Sequence, residues 1–251
     1  MAVYLNYYDT YDLFDHEPEG MIRHQLSRRM TPIQRAGVGI FIKALGRHPG
    51  QFDSLVLDDG CDLYISTAFG EISSNYSVAH DAGDGFCPVS PKDFQHSVCH
   101  ATAGYLALTQ EIHKNIITLL GGYLSIDKSL YYVSSMMKNR AGRCAVVIHT
   151  NEYLWGGTGR IARAEIFLLS GRADTLSNEA AFELMSCEYG FCSEMTDNMI
   201  NEKYGCVDRV ESEWDENKFT YYDMPLSGDS YRRLAVSAGG ETVFSEWRRC
   251  G

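Results

Sequence analysis

Between residues 31 and 46 the apolar side chains Ile33, Ile40, Phe41, Ala44 and Leu45 recur at helical spacing and form one stripe. Thr31 stands where an N-cap belongs, Pro32 takes the first helical position and Gln34 completes a capping box. Gly46 marks the expected stop. DLYISTAFGE (62–71) changes to a strand pattern and ends on a glycine. DAGDGFCPVSP (81–91) reads as a Gly/Pro-rich loop, and residues 94–110 as a helix. NIITLLGGYLS (115–125) reads as a buried strand broken by Gly121 and Gly122, which allow close strand packing. A helix follows over 127–142, from an Asp127 cap to a Gly142 stop. RCAVVIHTNE (143–152) is a continuous apolar, β-branched run of the buried parallel type. RIARAEIFLLSG (160–171) is another strand. Strands alternating with helices predict an α/β sandwich around a mostly parallel sheet.

Past residue 171 the pattern weakens. GFCSEMTDNMINEKYGCVDRVESEWDENKFTYYD (190–223) is polar and acidic with little periodicity. It fits an irregular extension, or two short helices and a strand packed on the edge of the domain. The N-terminal stretch is acidic and aromatic, with Tyr4, Tyr7, Tyr8, Tyr11 and Phe14. It reads either as an edge that folds back or, by preference, as a partner-binding arm, because aromatic side chains are enriched in interface cores. The organisation expected is one domain over 1–251, with an extension at 171–251.

Composition narrows the function. The chain has 251 residues, 45% of them hydrophobic, enough for a sizeable core, and a net charge of −11. That charge argues against nucleic acid and against anionic membrane surfaces as partners. No apolar run of about 18 residues occurs, so no membrane span is expected. The N-terminus lacks the basic-then-apolar order of a signal peptide, and a cytoplasmic location is expected. The eight cysteines include no CxxC pair and read as reduced, mostly buried thiols.

The segment SPKDFQHSVCHATAGYLALTQ (90–110) carries the candidate chemistry. Cys99 lies near His96 and His100, and a thiol beside an imidazole is the makings of an acyl-transfer nucleophile. On a helix of alanines and glycine, however, Cys99 reads first as a buried packing thiol. His96 and His100 are four apart, the spacing of a metal pair, but no third ligand is specified. Glu71 reads as a loop acid satisfied by a backbone N–H.

RRMTPIQRAGVGIFIKAL, ISTAFGE, SPKDFQHSVCHATAGYLALT, a glycine-containing strand, a helix and AVVIHTNE follow one another in an order that resembles the N-terminal half of a β-ketoacyl-acyl-carrier-protein synthase. The resemblance spans roughly residues 20–170. It is greatest to the short chain length factors of aryl polyene and related polyketide clusters, which carry a pattern like Ser-Pro-x-x-Phe-x-x-Ser-Val-His-Asn-Ala-x-x-Gly. Ser90, Pro91, Phe94, Ser97, Val98 and Gly104 match it, while Cys99 and His100 stand where the pattern has His and Asn. The resemblance implies the thiolase-like layered α/β fold, as a single half. It places the synthase nucleophile in LLGGYLSIDKSLYY (119–132), where Leu124 and Ser125 stand and no cysteine occurs. The synthases take two histidines from their C-terminal half, and none follows His149 here.

What is implied is a non-catalytic subunit, without cofactor or metal. It would form a heterodimer with a β-ketoacyl-acyl-carrier-protein synthase and meet the acyl carrier protein through that complex. The pathway would be of polyene, polyketide or fatty acid type. The strand before the nucleophile turn would lie at the dimer seam. Phe94, Ser97, Cys99, His100, Leu124 and Ser125 would line the acyl tunnel or the interface. The alternative is a cysteine-dependent acyltransferase or thioesterase using Cys99 with His96 or His100.

Overall fold

The computed structural model describes residues 2–12, 25–68, 70–83, 90–140, 143–155, 159–173, 176, 181–191, 209–211, 219–225, 230–237 and 241–250. Its first helix, α1 (Pro32–Arg47), starts as its sequence dictates. Gln34 N donates to Thr31 Oγ1 at 3.4 Å and Thr31 N to Gln34 Oε1 at 3.0 Å, closing the capping box. The helix runs through Gly46 and stops at His48, because the residue before Pro49 is pushed out of helical geometry. Short α2 (Gln51–Leu57) leads into β2 (Cys61–Thr67). Helix α3 (Ile72–Gly83) takes up the first three residues of the expected 81–91 loop; residues 84–89 lie outside the described residues.

The single helix expected over 94–110 is two, α4 (Pro91–His96) and α5 (Ala101–Thr109). Ser97 ends the first: its Oγ and its N both donate to the Phe94 carbonyl, at 2.8 and 3.2 Å, in place of the next helical bond. Strand β3 (Ile116–Leu120) is half exposed rather than buried. Helix α6 (Ser125–Lys138) begins two residues before the expected cap, so Asp127 is buried inside its first turn. Strands β4 (Cys144–Trp155) and β5 (Gly159–Ser170) form a long hairpin, paired from Cys144↔Ser170 to Trp155↔Gly159.

The N-terminal stretch is not an arm. It is strand β1 (Tyr4–Asp12), in the middle of the sheet between β5 and β6 (Phe182–Phe191). Its alternation puts Tyr7 in the core and leaves Tyr8 half exposed; Phe14 lies outside the described residues. The described part of the tail is also strand rather than helix: β7 (Arg209–Glu211), β8 (Phe219–Pro225), β9 (Ser230–Ser237) and β10 (Glu241–Arg249). The ten described strands form one sheet in the order β3-β2-β4-β5-β1-β6-β10-β9-β8-β7. Among the described strands only the β3/β2 and β2/β4 pairs are parallel, so the sheet is mixed and not mostly parallel.

One face carries α1. Its Ile33, Ile40 and Phe41 are fully buried with Leu63, Ile65, Ile148, Ile166 and Leu168 of the strands, each such side chain contributing about 2 kcal/mol. The approach is close at Gly37, where a Cβ would lie 2.8 Å from Thr102 Cγ2 and 2.9 Å from Thr150 Cγ2. The other face carries α6. Its Ile126, Leu130, Val133 and Met137 cluster with Tyr64 and Val147 from the parallel strands, and also with Leu184 of β6 and Trp247 of β10. In the strand order β2 and β10 are five places apart, about 24 Å on a flat sheet. A helix about 10 Å across cannot touch both. The sheet therefore curls around α6, and the tail strands β6 and β10 close over that helix.

Candidate functional site

Three parallel strands point their carboxyl ends the same way, which is where open α/β sheets place their chemistry. At the end of β2, Gly70 N donates to Thr67 Oγ1 at 3.1 Å and Ala68 N to Asn151 Oδ1 at 3.1 Å. Gly70 has φ +70, and a Cβ there would sit 3.3 Å from the Cα of Cys99. This contact seats the α4–α5 turn against the strand end. Glu71 is buried and accepts from Thr31 Oγ1 at 2.7 Å and Thr102 Oγ1 at 3.0 Å. The hydroxyls of two helix starts thus hold the acid that the sequence assigned to a backbone N–H.

At the end of β3 the chain makes a tight turn into α6. Gly121 N donates to the Thr67 carbonyl and Gly122 N to that of Ala68. Gly122 has φ +64, and a Cβ on Gly121 would lie 2.7 Å from the Cα of Ser125. The glycine pair serves this turn, not close strand packing. It brings Ser125, 1% exposed, to the start of α6, where its Oγ has no hydrogen-bond partner among the described residues. Leu124 is buried against Ala235 and Val243 of the tail strands.

Behind Ser125 lies a polar cluster that no local motif announces. Ser66 Oγ donates to the Ser125 carbonyl at 3.2 Å and accepts from Ser129 Oγ at 2.8 Å. His149 Nδ1 is 3.1 Å from Ser66 Oγ, and Asn151 Nδ2 is 2.9 Å from His149 Nε2. Ser66 has one hydroxyl hydrogen, and the Ser125 carbonyl takes it. His149 Nδ1 must then donate, and Nε2 accepts from the Asn151 amide. Both ring nitrogens are committed, so His149 is a positioning group and not a free base for Ser125.

Around Cys99 the sequence-predicted group separates. Cys99 is exposed, not a packing thiol, because the helix breaks at Ser97 and the turn carries it outward. His96 is buried in the opposite sense: its Nδ1 accepts from Gln34 Nε2 at 3.1 Å, its ring stacks on Tyr105 and it hydrogen-bonds the Arg29 backbone. Burial, helped by Lys92, holds its pKa below the ordinary histidine value. His100 is exposed at the start of α5. A nucleophile and its base sit within about 2.6–3.2 Å, and among the described residues no hydrogen bond joins Cys99 to either imidazole. Phe94 is 64% exposed on α4, while Ser97 caps that helix. Among the described residues no group of three or more His, Cys, Asp or Glu is placed to hold a metal ion. None of the described helices is long and apolar enough to cross a membrane.

No protein-family model and no curated protein matches the chain by sequence. Solved structures do. The chain is similar to one from a ketosynthase (ApeO) in complex with its chain length factor (ApeC) from Xenorhabdus doucetiae, at 13% identity and TM-score 0.58, over 99% of this chain and 100% of that one. It is similar to a β-ketoacyl synthase from Burkholderia phymatum STM815 at 10% identity and TM-score 0.63, over 94% of this chain and 86% of that one. It is also similar to a chain of AntDE:AntF, a type II acyl-carrier protein in complex with its ketosynthase, at 14% identity and TM-score 0.57, over 80% and 71%. At these identities the likeness is one of fold, and the fold is the thiolase-like layered α/β fold of the ketosynthases.

Proposed function

We propose that the chain is a non-catalytic chain length factor, the partner of a β-ketoacyl-acyl-carrier-protein synthase whose acyl tunnel it shapes. The observation that carries this reading is the edge at β3. Among the described strands β3 ends the sheet and pairs only with β2, and it exposes Ile117 and Leu120 at 41% and 59%. Leu108, on α5 beside it, is 63% exposed. An apolar edge strand is a template for pairing with another chain. A heterodimer formed there would bury more than about 2,000 Å², in the obligate range. The acyl carrier protein would be met through the ketosynthase, since a net charge of −11 repels an acidic carrier.

The non-catalytic part of the proposal draws on the turn before α6. Ser125, which the resemblance sets near the synthase nucleophile position, is buried, and the imidazole nearest it in the cluster is already committed. Phe94, projecting from α4, would reach into the partner's tunnel and limit the chain by bulk. Co-expression with a ketosynthase followed by size-exclusion chromatography tests the association. Product analysis of the complex tests the role: Phe94→Ala is expected to lengthen the product with little change in rate, and Cys99→Ala to alter neither.

The exposure of Cys99 is the observation favouring a second reading, acyl transfer or thioester hydrolysis on that thiol. Under it Cys99→Ala abolishes turnover and Phe94→Ala leaves product length alone. That pair of results would sink the chain-length reading.

A further inference from the structure

Cys61 and Cys144 are the first residues of β2 and β4 and face each other directly in the parallel register. Neighbouring strands run about 4.8 Å apart, inside the Cα separation of about 4.4–6.8 Å that a disulfide spans. Both side chains belong to the same core cluster, so they lie on one face of the sheet, and both thiols are free. Cys61 Sγ donates to the Asp62 carbonyl at 3.8 Å and Cys144 Sγ to the Leu55 carbonyl at 4.0 Å, so neither thiol is locked by a short bond. Lys114 brings an ammonium to this end of the strands, donating to the carbonyls of Val56, of Asp58 at 2.9 Å and of Cys61 at 2.7 Å.

We propose that Cys61 and Cys144 are a modification site, forming a reversible disulfide across β2 and β4 by exchange with a low-molecular-weight disulfide of the glutathione type. The neighbouring Cys61 thiol and the charge of Lys114 favour the thiolate of Cys144, the more exposed of the two at 7%. Cys61 is pushed the other way by the neighbouring Cys144 and by burial. The Cys144 thiolate attacks one sulfur of glutathione disulfide, whose S–S bond breaks and releases a glutathione thiolate. Cys61 gives up its proton to solvent and attacks Cys144 Sγ, expelling the second glutathione thiolate. Two protein thiols are oxidised and one small disulfide is reduced to two thiols. The new bond would close a loop containing α3–α6 and β3, the elements of the proposed partner face, without resting on that proposal.

The test treats the intact chain with reduced or oxidised glutathione and maps unreduced digests by mass spectrometry. A peptide joining Cys61 to Cys144, lighter by about 2 Da than its parts and released by dithiothreitol, is the expected product. The oxidised chain should melt several degrees higher, because the cross-link restricts the unfolded state. Cys144→Ser and Cys144→Ala should each abolish the linked peptide. Separate glutathione adducts on the two cysteines, two thiols that stay alkylatable, or a linkage that forms only in denaturant would overturn the proposal.

Discussion

The parallel and antiparallel parts of this sheet solve different problems. Parallel strands need long crossovers, and each crossover returns a loop or helix start to the same end of the sheet. Ser66, Ser125 and His149 therefore meet although they are far apart in sequence. In the antiparallel part β4/β5 and β8/β9/β10 are sequential neighbours that pair directly, and the result is curvature and closure around α6. One part gathers polar groups and presents an apolar edge; the other encloses a helix.

That division of labour is most exposed to challenge at the surface. Ile117→Lys with Leu120→Lys, at the parallel edge, should weaken association with a ketosynthase at least about 100-fold, since buried unpaired charges are costly at an interface core. Melting of the isolated chain should hardly move, because both side chains are already exposed. Phe191→Lys, 71% exposed on the antiparallel side, should leave binding intact. Binding lost in the second variant and kept in the first would reverse the assignment.

Inside the parallel part, Gly37→Val should cost about 1–3 kcal/mol in denaturant unfolding, because the added atoms meet Thr102 and Thr150 at less than van der Waals separation. The link between the parts is weaker. Lys128 Nζ donates to the Gly121 carbonyl at 3.1 Å and pairs with Glu241 of β10 at 2.7 Å. Lys128→Met should cost about 1 kcal/mol, a small figure because both side chains are about a quarter exposed. The hydrogen bond from Lys128 holds the Glu241 carboxyl below its ordinary 4.5. Its contribution is present above that pH and is lost as pH falls below it, so the variant should show a flatter acid limb in an unfolding titration.

His96→Gln should give the smallest effect. A histidine held below its ordinary 6.5 by burial contributes stability fully above 6.5, lost as pH falls toward the folded value. The variant keeps an acceptor for Gln34 and should lose part of that slope; an unchanged slope would mean that His96 is not held neutral.

How far the sequence revealed all this depended on where each signal lay. The start of α1 was legible because a capping box is complete within four residues, Thr31 to Gln34. The break after His96 was not, because it turns on one serine choosing the Phe94 carbonyl. Strand β1 resembled a surface arm because its tyrosines and aspartates are polar enough for one. Only the neighbours on either side show that Tyr7 is enclosed by His48 and Phe52, where burial, with Asp9 beside it, pushes its hydroxyl up to about 12. The tail strands alternate only weakly, since β6 buries just Leu184 fully. The segment 90–104 was marked by its residues, but the split between exposed Cys99 and buried His96 was not. The Ser66–His149 cluster left no local trace, for its members sit on β2, β4 and α6.

Strand β1 has a consequence for how the chain is made. Tyr4 pairs with Ser170 and Glu183, so β1 leaves the ribosome well before either neighbour and waits for both. At synthesis rates of about 5–20 residues per second the wait is on the order of ten to thirty seconds. Until then the centre of the sheet has a gap, and Val3, Leu5 and Tyr7 have no core to enter. Apolar surface left exposed for that time is prone to aggregate, so slowing translation should raise aggregation of the nascent chain rather than relieve it.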